Sequence, residues 1–258
     1  MNGLDALLKA EDLSKQFGGV QALKAISFEI PNSSIFALIG PNGAGKSTLL
    51  HLLSGTFQPS SGRVQLKGQE LVGLEAHKRV KLGIARTFQS IRLFQQLTVL
   101  ENVMTGFHTH YKVPIWKHLI STQKSKKESQ KFKENAFELL EFMGLLGQAN
   151  KEAHSLSYGQ QRMLEVARAM ATSPQLLMLD EPAAGLNSIE VEFFLQRLKE
   201  MKKKNITTIV VEHNMDLVMN VADHILVIDH GEYLFDGTPS AVQSNPQVVK
   251  AYLGEEFI

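Results

Sequence analysis

A chain of 258 residues, 43% hydrophobic and 21% charged, has room for one large domain or for one domain with a sizeable insertion. A formal net charge of +1 argues against a general nucleic-acid binder, and the absence of cysteine excludes disulfides and thiolate metal sites. Asp5, Lys9, Glu11, Asp12 and Lys15 leave no apolar core for a signal peptide, and the apolar runs at 35–39 and 225–228 are far shorter than the roughly 20 residues of a spanning helix. The expected location is cytoplasmic, with any membrane contact made through a partner.

Residues 7–32 alternate as strands do, with Leu8, Ala10 and Leu13 followed by Ile26, Phe28 and Ile30. The short alternating run 63–67 ends at Gly68. Together they predict an N-terminal antiparallel sheet. The run 34–39 is continuously apolar, the mark of a strand buried on both faces, and 175–179, 207–211 and 224–228 share that character. Helical patterns at 46–54, 159–172, 188–203 and 214–221 lie between them, which predicts a mainly parallel α/β core.

From about 90 to 155 the pattern changes to helices, with an apolar stripe at Phe137, Leu140, Phe142 and Leu145 and stops expected at Gly144 and Gly147. Lys124, Lys126, Lys127, Lys131 and Lys133 read as a solvated helix face. His108 and His110 read as an exposed turn, because no carboxylate or further histidine stands at metal-ligand spacing.

Gly40-Pro-Asn-Gly-Ala-Gly-Lys-Ser47 fills every fixed position of a phosphate loop and follows a buried strand. Its glycines let backbone N–H groups turn toward phosphate oxygens, and the next helix adds its positive end. Lys46 neutralises β- and γ-phosphates in such a loop, and Ser47 offers a hydroxyl to Mg²⁺. Leu176-Leu-Met-Leu-Asp180 is a second buried strand ending in a carboxylate. In a parallel sheet that end lies on the ligand side, near Lys46, where Asp180 can hold the metal shell and Glu181 the attacking water. His213 follows the third buried strand and reads either as a cap or as a partner of the γ-phosphate. A second glycine-containing turn, Leu156-Ser-Tyr-Gly-Gln-Gln-Arg162, has no lysine. Ser157 and Gln160 have capping-box spacing, so the turn is either a well-capped helix start or a cradle for phosphate held by another copy.

In their order, the phosphate loop, Gln89, the Leu-Ser-Tyr-Gly-Gln turn, Asp180-Glu181 and His213 resemble the ATP-binding subunit of an ABC transporter over essentially the whole chain. The resemblance implies a single ATPase domain spanning 1–258. It would comprise a phosphate-loop core, an N-terminal antiparallel β subdomain and a helical subdomain inserted at about 90–155. It implies ATP and Mg²⁺ as cofactors and two subunits packed head to tail. Gly40, Pro41, Asn42, Gly43, Ala44, Gly45, Lys46, Ser47 and Thr48 would surround the phosphates. Phe17 would stack on adenine, although it stands where the family usually has tyrosine, and packing in the N-terminal sheet is its other reading. Ser47, Gln89 and Asp180 would serve the metal, with Gln89 also sensing γ-phosphate. Glu181 and His213 would be catalytic, and Ser157, Gly159 and Gln160 would reach the nucleotide held by the partner.

A finer resemblance, to the branched-chain amino acid importer branch of LivG type, rests on five segments: Gly83-Ile-Ala-Arg-Thr-Phe-Gln89, Ile91-Arg-Leu-Phe94, Thr98-Val-Leu-Glu-Asn102, Ala183-Ala-Gly-Leu-Asn187 and the ending 245–254. Asn187 replaces the aspartate of most family members. The branch implies a second ATPase subunit, integral membrane permeases, an indirect periplasmic binding protein, and a place on the cytoplasmic face of the inner membrane. A chain of 258 residues is expected to leave no room for the extra regulatory domain found in some importer ATPases. The same residues suit a urea or short-amide importer or a lipopolysaccharide exporter. A soluble non-transport ABC protein fits less well, because such proteins typically carry two cassettes or a long coiled-coil insertion and this sequence has neither.

Overall fold

The structure, a computed structural model, describes residues 6–110 and 123–253. It divides into two compact units. The first takes Met1–Arg86, Gln175–Pro182 and Leu198–Ile258, and the second takes Thr87–Pro174 and Ala183–Arg197.

In the first unit, β1 (Ala6–Phe17) and β2 (Val20–Pro31) precede the central strand β3 (Ile35–Ile39) and helix α1 (Lys46–Ser54). Strands β4 (Ser61–Leu66) and β5 (Gln69–Glu70) complete an antiparallel sheet of order β2-β1-β4-β5. Its register pairs apolar with apolar, Ala10 with Phe28 and Val64, and Leu8 with Ile30 and Leu66, so one face of each strand enters the core.

The second sheet combines β3 with β6 (Ile84–Arg86), β7 (Leu176–Asp180), β8 (Thr207–Val211), β9 (His224–Asp229) and β10 (Glu232–Gly237) in the order β10-β9-β3-β8-β7-β6. All neighbours run parallel except β10 against β9. Every residue of β3, β7 and β8 is buried, as the continuous apolar runs require. Registers Leu38↔Val211 and Val211↔Asp180 align the carboxyl ends of β3, β8 and β7 in one row.

Helix α2 (Ala76–Lys81) supplies Arg79, buried against the C-terminal end of α1. Its guanidinium donates to the carbonyls of Leu52 (2.6 Å) and Leu53 (3.0 Å) and to Leu71 (2.7 Å). A cation there satisfies orphan carbonyls and complements the helix dipole.

In the second unit, α3 (Val99–Gly106) starts on a Thr98–Glu101 capping box. Helix α4 (Gln123–Phe142) buries Phe132, Ala136 and Leu140, with Met143 one step beyond its end. The stripe expected from sequence is therefore displaced: Leu140 and Leu145 are buried, but Phe137 and Phe142 are half-exposed, with Lys133 and Arg197 over their rings. Gly144, at φ 69°, does end the helix, whereas Gly147 lies inside a short 3-10 turn, Leu146–Gln148. Lys126, Lys127, Lys131 and Lys133 are exposed, and the side chain of Lys124 lies outside the described residues. His108 and His110 sit in a 3-10 turn, bonded to the carbonyls of Thr105 and Thr172. His110 is half-buried rather than exposed, because its ring packs near Phe107.

Helix α5 (Tyr158–Met170) packs on α3 so closely that a Cβ at Gly106 would collide with the Arg168 carbonyl. Helix α6 (Ser188–Lys203) starts in this unit and ends in the first. Asn187 caps it: its Oδ1 accepts from the amides of Ile189 and Glu190, both at 3.0 Å, and Glu190 accepts from the Asn187 amide at 3.0 Å. Asparagine caps as well as aspartate does, which accounts for its fit at this position. Helices α7 (Met215–Val221), α8 (Pro239–Gln243) and α9 (Pro246–Leu253) finish the described chain, with Gly254 of the matched ending outside it. None of the helices is long and apolar enough to cross a membrane, among the described residues.

Candidate active site

The loop Gly40–Gly45 leaves the carboxyl end of β3 and feeds directly into α1. Two of its glycines are fixed by close approach. A Cβ at Gly40 would collide with the Ile228 carbonyl oxygen, and at Gly45 (φ 101°) it would lie 2.8 Å from the Ala22 oxygen. The loop is further tied by backbone bonds: Gly231 N–H donates to the Ala44 carbonyl (3.1 Å), and Lys24 N–H donates to Gly231 (2.7 Å). Gly45 is also the N-cap of α1 and supplies no side-chain acceptor to its first turn. That turn is therefore polarised toward an anion.

Lys46 is buried, and its ammonium donates to the carbonyls of Gly40 (2.6 Å) and Pro41 (2.9 Å). Burial lowers its pKa, while the carboxylates of Glu181 and, more weakly, Asp180 act in the opposite sense. The ammonium thus lies within the field of both acids. Ser47 is exposed and Thr48 half-buried, with Pro41, Asn42, Gly43 and Ala44 completing the loop.

Asp180 ends β7, and its Oδ2 accepts from Arg86 Nη2 at 2.8 Å. Glu181 follows in the left-handed region (φ 48°), a conformation that costs a non-glycine residue about 1–2 kcal/mol. Its amide donates to the Val211 carbonyl at 2.9 Å, which holds the backbone at the end of β8. Two residues beyond Val211, His213 is exposed just before Asn214, whose Oδ1 caps α7 by accepting from the Leu217 amide at 3.1 Å. Phe17, at the end of β1, is 41% exposed and meets Phe57 edge-on with centroids 5.3 Å apart. It packs on the Phe57 ring and still presents surface.

The carboxyl edge of this one sheet therefore brings an ammonium into the field of two carboxylates beside a polarised helix start, with His213 two residues past the end of β8. Such a set can bind phosphates and handle the proton of an attacking water. Its oxygen donors, the Ser47 hydroxyl and the Asp180 carboxylate, suit a hard divalent cation such as Mg²⁺.

The second unit carries the other sequence candidates. Ser157 is the N-cap of α5 in a complete capping box, accepting from the Gln160 amide (3.3 Å) while Gln160 Oε1 accepts from the Ser157 amide (3.1 Å). Ser157 is exposed, and Gly159 is buried, because a Cβ there would strike the Glu190 carboxylate that caps α6. Gln89 is exposed in the segment after β6.

Sequence reading alone missed what holds Gln89. Arg162 and Glu165, both buried, form an ion pair on α5 at 3.1 Å. Arg162 donates to the carbonyls of Phe88 (2.8 Å) and Gln89 (2.9 Å), and Glu165 accepts from the Arg92 amide (3.2 Å). The helix that begins at Ser157 thereby clamps the Gln89 segment. Burial raises the Glu165 pKa, and the Arg92 amide and Arg162 counter that rise. The sequence signal was an i, i+3 charge pair inside an apolar stripe. Arg162→Ala should lower the unfolding free energy by about 3–5 kcal/mol, read from urea denaturation, because it strands a buried carboxylate. A loss below about 1 kcal/mol would contradict the clamp.

A family model described as "ABC transporter" matches residues 23–184, and one described as "Branched-chain amino acid ATP-binding cassette transporter" matches 234–258. The chain is 41% identical over 250 residues to BraF of Pseudomonas aeruginosa, a high-affinity branched-chain amino acid transport ATP-binding protein, covering 96% of this chain and 98% of that one. A solved ATP-binding cassette of an ABC transporter in its ADP conformation is 33% identical, covers 97% of this chain and 99% of its own, and superposes with a TM-score of 0.84. A second cassette, solved as a dimer in a post-hydrolysis state with ADP and phosphate, is 26% identical with a TM-score of 0.77, covering 90% of this chain and 98% of its own.

Proposed function

Because the chain belongs to the ABC transporter family of ATP-binding cassettes, we propose that it is the ATP-hydrolysing subunit of an importer for branched-chain amino acids. The cargo reading rests on the match at 234–258 to the model described for that branch, and a relative of that name over nearly the full length agrees with it. The chemical reading rests on the sheet edge that brings Lys46 into the field of Glu181 and Asp180.

In this reading Gly40, Pro41, Asn42, Gly43, Ala44, Gly45, Lys46 and Thr48 hold the phosphates of ATP, and Phe17 packs on the base. Ser47, Gln89 and Asp180 serve Mg²⁺, which would neutralise charge on the β- and γ-phosphates. Glu181 orients the water and takes its proton, and His213 donates to the γ-phosphate. Two subunits pack so that Ser157, Gly159 and Gln160 of one close on the nucleotide of the other. That a related cassette was solved as a dimer with ADP and phosphate supports the pairing of two cassettes. The helical insertion at about 90–155 passes the closure to membrane permeases on the cytoplasmic face, served by an external binding protein. The whole chain works as one domain.

Deleting the gene and following uptake of labelled leucine, isoleucine and valine tests the cargo. Uptake of all three should fall at least about tenfold and return with the wild-type chain. Unchanged uptake, with loss of another solute instead, would overturn the cargo while leaving the ATPase reading intact.

A further inference from the structure

We propose that Arg86 is a positioning residue for Asp180 and thereby sets how tightly the site takes its divalent cation. The inference rests on the metal role proposed above for Asp180 and Ser47.

Arg86 is the last residue of β6, and the register pairs it with Met178 of β7. Asp180 stands two residues further along, on the same face of the strand as Met178. Across that face Arg86 Nη2 reaches Asp180 Oδ2 at 2.8 Å, and each side chain is only 6% exposed. The second arm of the guanidinium, Nη1, donates to His51 Nδ1 at 3.1 Å. His51 lies on α1 four residues after Ser47, one helical turn away on the same side. One planar group therefore ties the carboxylate at the end of β7 to the helix that begins with Lys46 and Ser47. The two oxygens expected around the metal come from different elements, and this guanidinium links those elements.

The chemistry of the partners makes the arrangement specific. A guanidinium only donates, so His51 accepts at Nδ1 and carries its proton on Nε2. The imidazole is held in turn by Phe57, with ring centroids 4.8 Å apart. A buried carboxylate deprived of one cation turns to the next available. Here that next cation is Lys46, already within its field. Arg86 thus holds the Asp180 carboxylate in one orientation and leaves Lys46 to phosphate. Partners of metal-binding carboxylates set metal affinity by about 10–100-fold.

The test compares nucleotide affinity of the full-length chain in EDTA and in saturating Mg²⁺, using a fluorescent ATP analogue, so that the readout is the tightening caused by metal. Arg86→Ala should bind the analogue as wild type does in EDTA and lose about 10–100-fold of the tightening. Arg86→Lys should recover part of it, since a point charge lacks the second arm, and His51→Ala should lose less than Arg86→Ala. Wild-type tightening in Arg86→Ala overturns the proposal, as does an equal loss of affinity in EDTA, which marks a merely structural pair. If Arg86→Ala does not fold, Arg86→Lys and His51→Ala decide, and unchanged tightening in both overturns it. Asp180→Asn separates the two levels. Loss there with none in the Arg86 variants sinks this inference alone, whereas no loss there sinks the metal role of Asp180 itself.

Discussion

Glu181→Gln is expected to cut steady-state ATP hydrolysis by about 10²–10⁴-fold while ATP binding stays near wild type. The exchange replaces one carboxylate oxygen by an amide of the same shape, so the left-handed backbone and the bond to the Val211 carbonyl have no reason to change. What is lost is the capacity to accept a proton from water. Lys46 loses the stronger of the two carboxylates that raise its pKa, but Asp180 remains beside it and phosphate supplies fresh negative charge. Binding without turnover should then hold two subunits closed, visible as an ATP-dependent dimer on size exclusion. Hydrolysis within about twofold of wild type would remove Glu181 from the mechanism.

Ser157→Arg is expected to abolish hydrolysis at the site of the facing subunit and spare its own. The serine is exposed at the N-terminal end of α5, and an arginine there adds bulk and charge where a phosphate would dock. Losing the cap also costs about 1 kcal/mol, so Ser157→Ala serves as the control for helix stability. Mixed dimers of two tagged copies decide the geometry. With Ser157→Arg on one copy and Glu181→Gln on the other, sharing across the interface predicts one intact site and about half of wild-type activity. With both changes on one copy it predicts almost none. The reverse pattern would mean that Ser157 serves its own subunit.

Much of this was readable before any fold was known, and the reason is local chemistry. Strands β3, β7 and β8 are buried on both faces, so their apolar runs are unbroken and hard to mistake. The Ser157–Gln160 box spans four residues, and it forms as its spacing implies. Residues that act across distance left no such trace. Arg86 and Asp180 are 94 positions apart, and Arg162 reaches carbonyls more than 70 residues away. Nothing in their neighbourhoods marks them as partners until the sheet or the helix brings them together. The displaced stripe on α4 has a different cause. Phe137 and Phe142 are apolar by composition, but Lys133 and Arg197 lie over their rings, so cationic side chains cover part of what core packing was expected to bury.

The phosphate loop itself has little freedom left to lose. Gly45 is pressed on the Ala22 carbonyl, and the Gly231 amide is bonded to Ala44, so three separate chain segments meet backbone to backbone around it. A loop moulded in this way meets ATP already shaped, and binding forfeits less conformational entropy than it would for a floppy one. Amide hydrogen exchange reads this directly. The Gly231 N–H should exchange slowly even before nucleotide is added and slow further by only a small factor afterwards. The cost of ordering the cradle is met during folding rather than at each catalytic cycle.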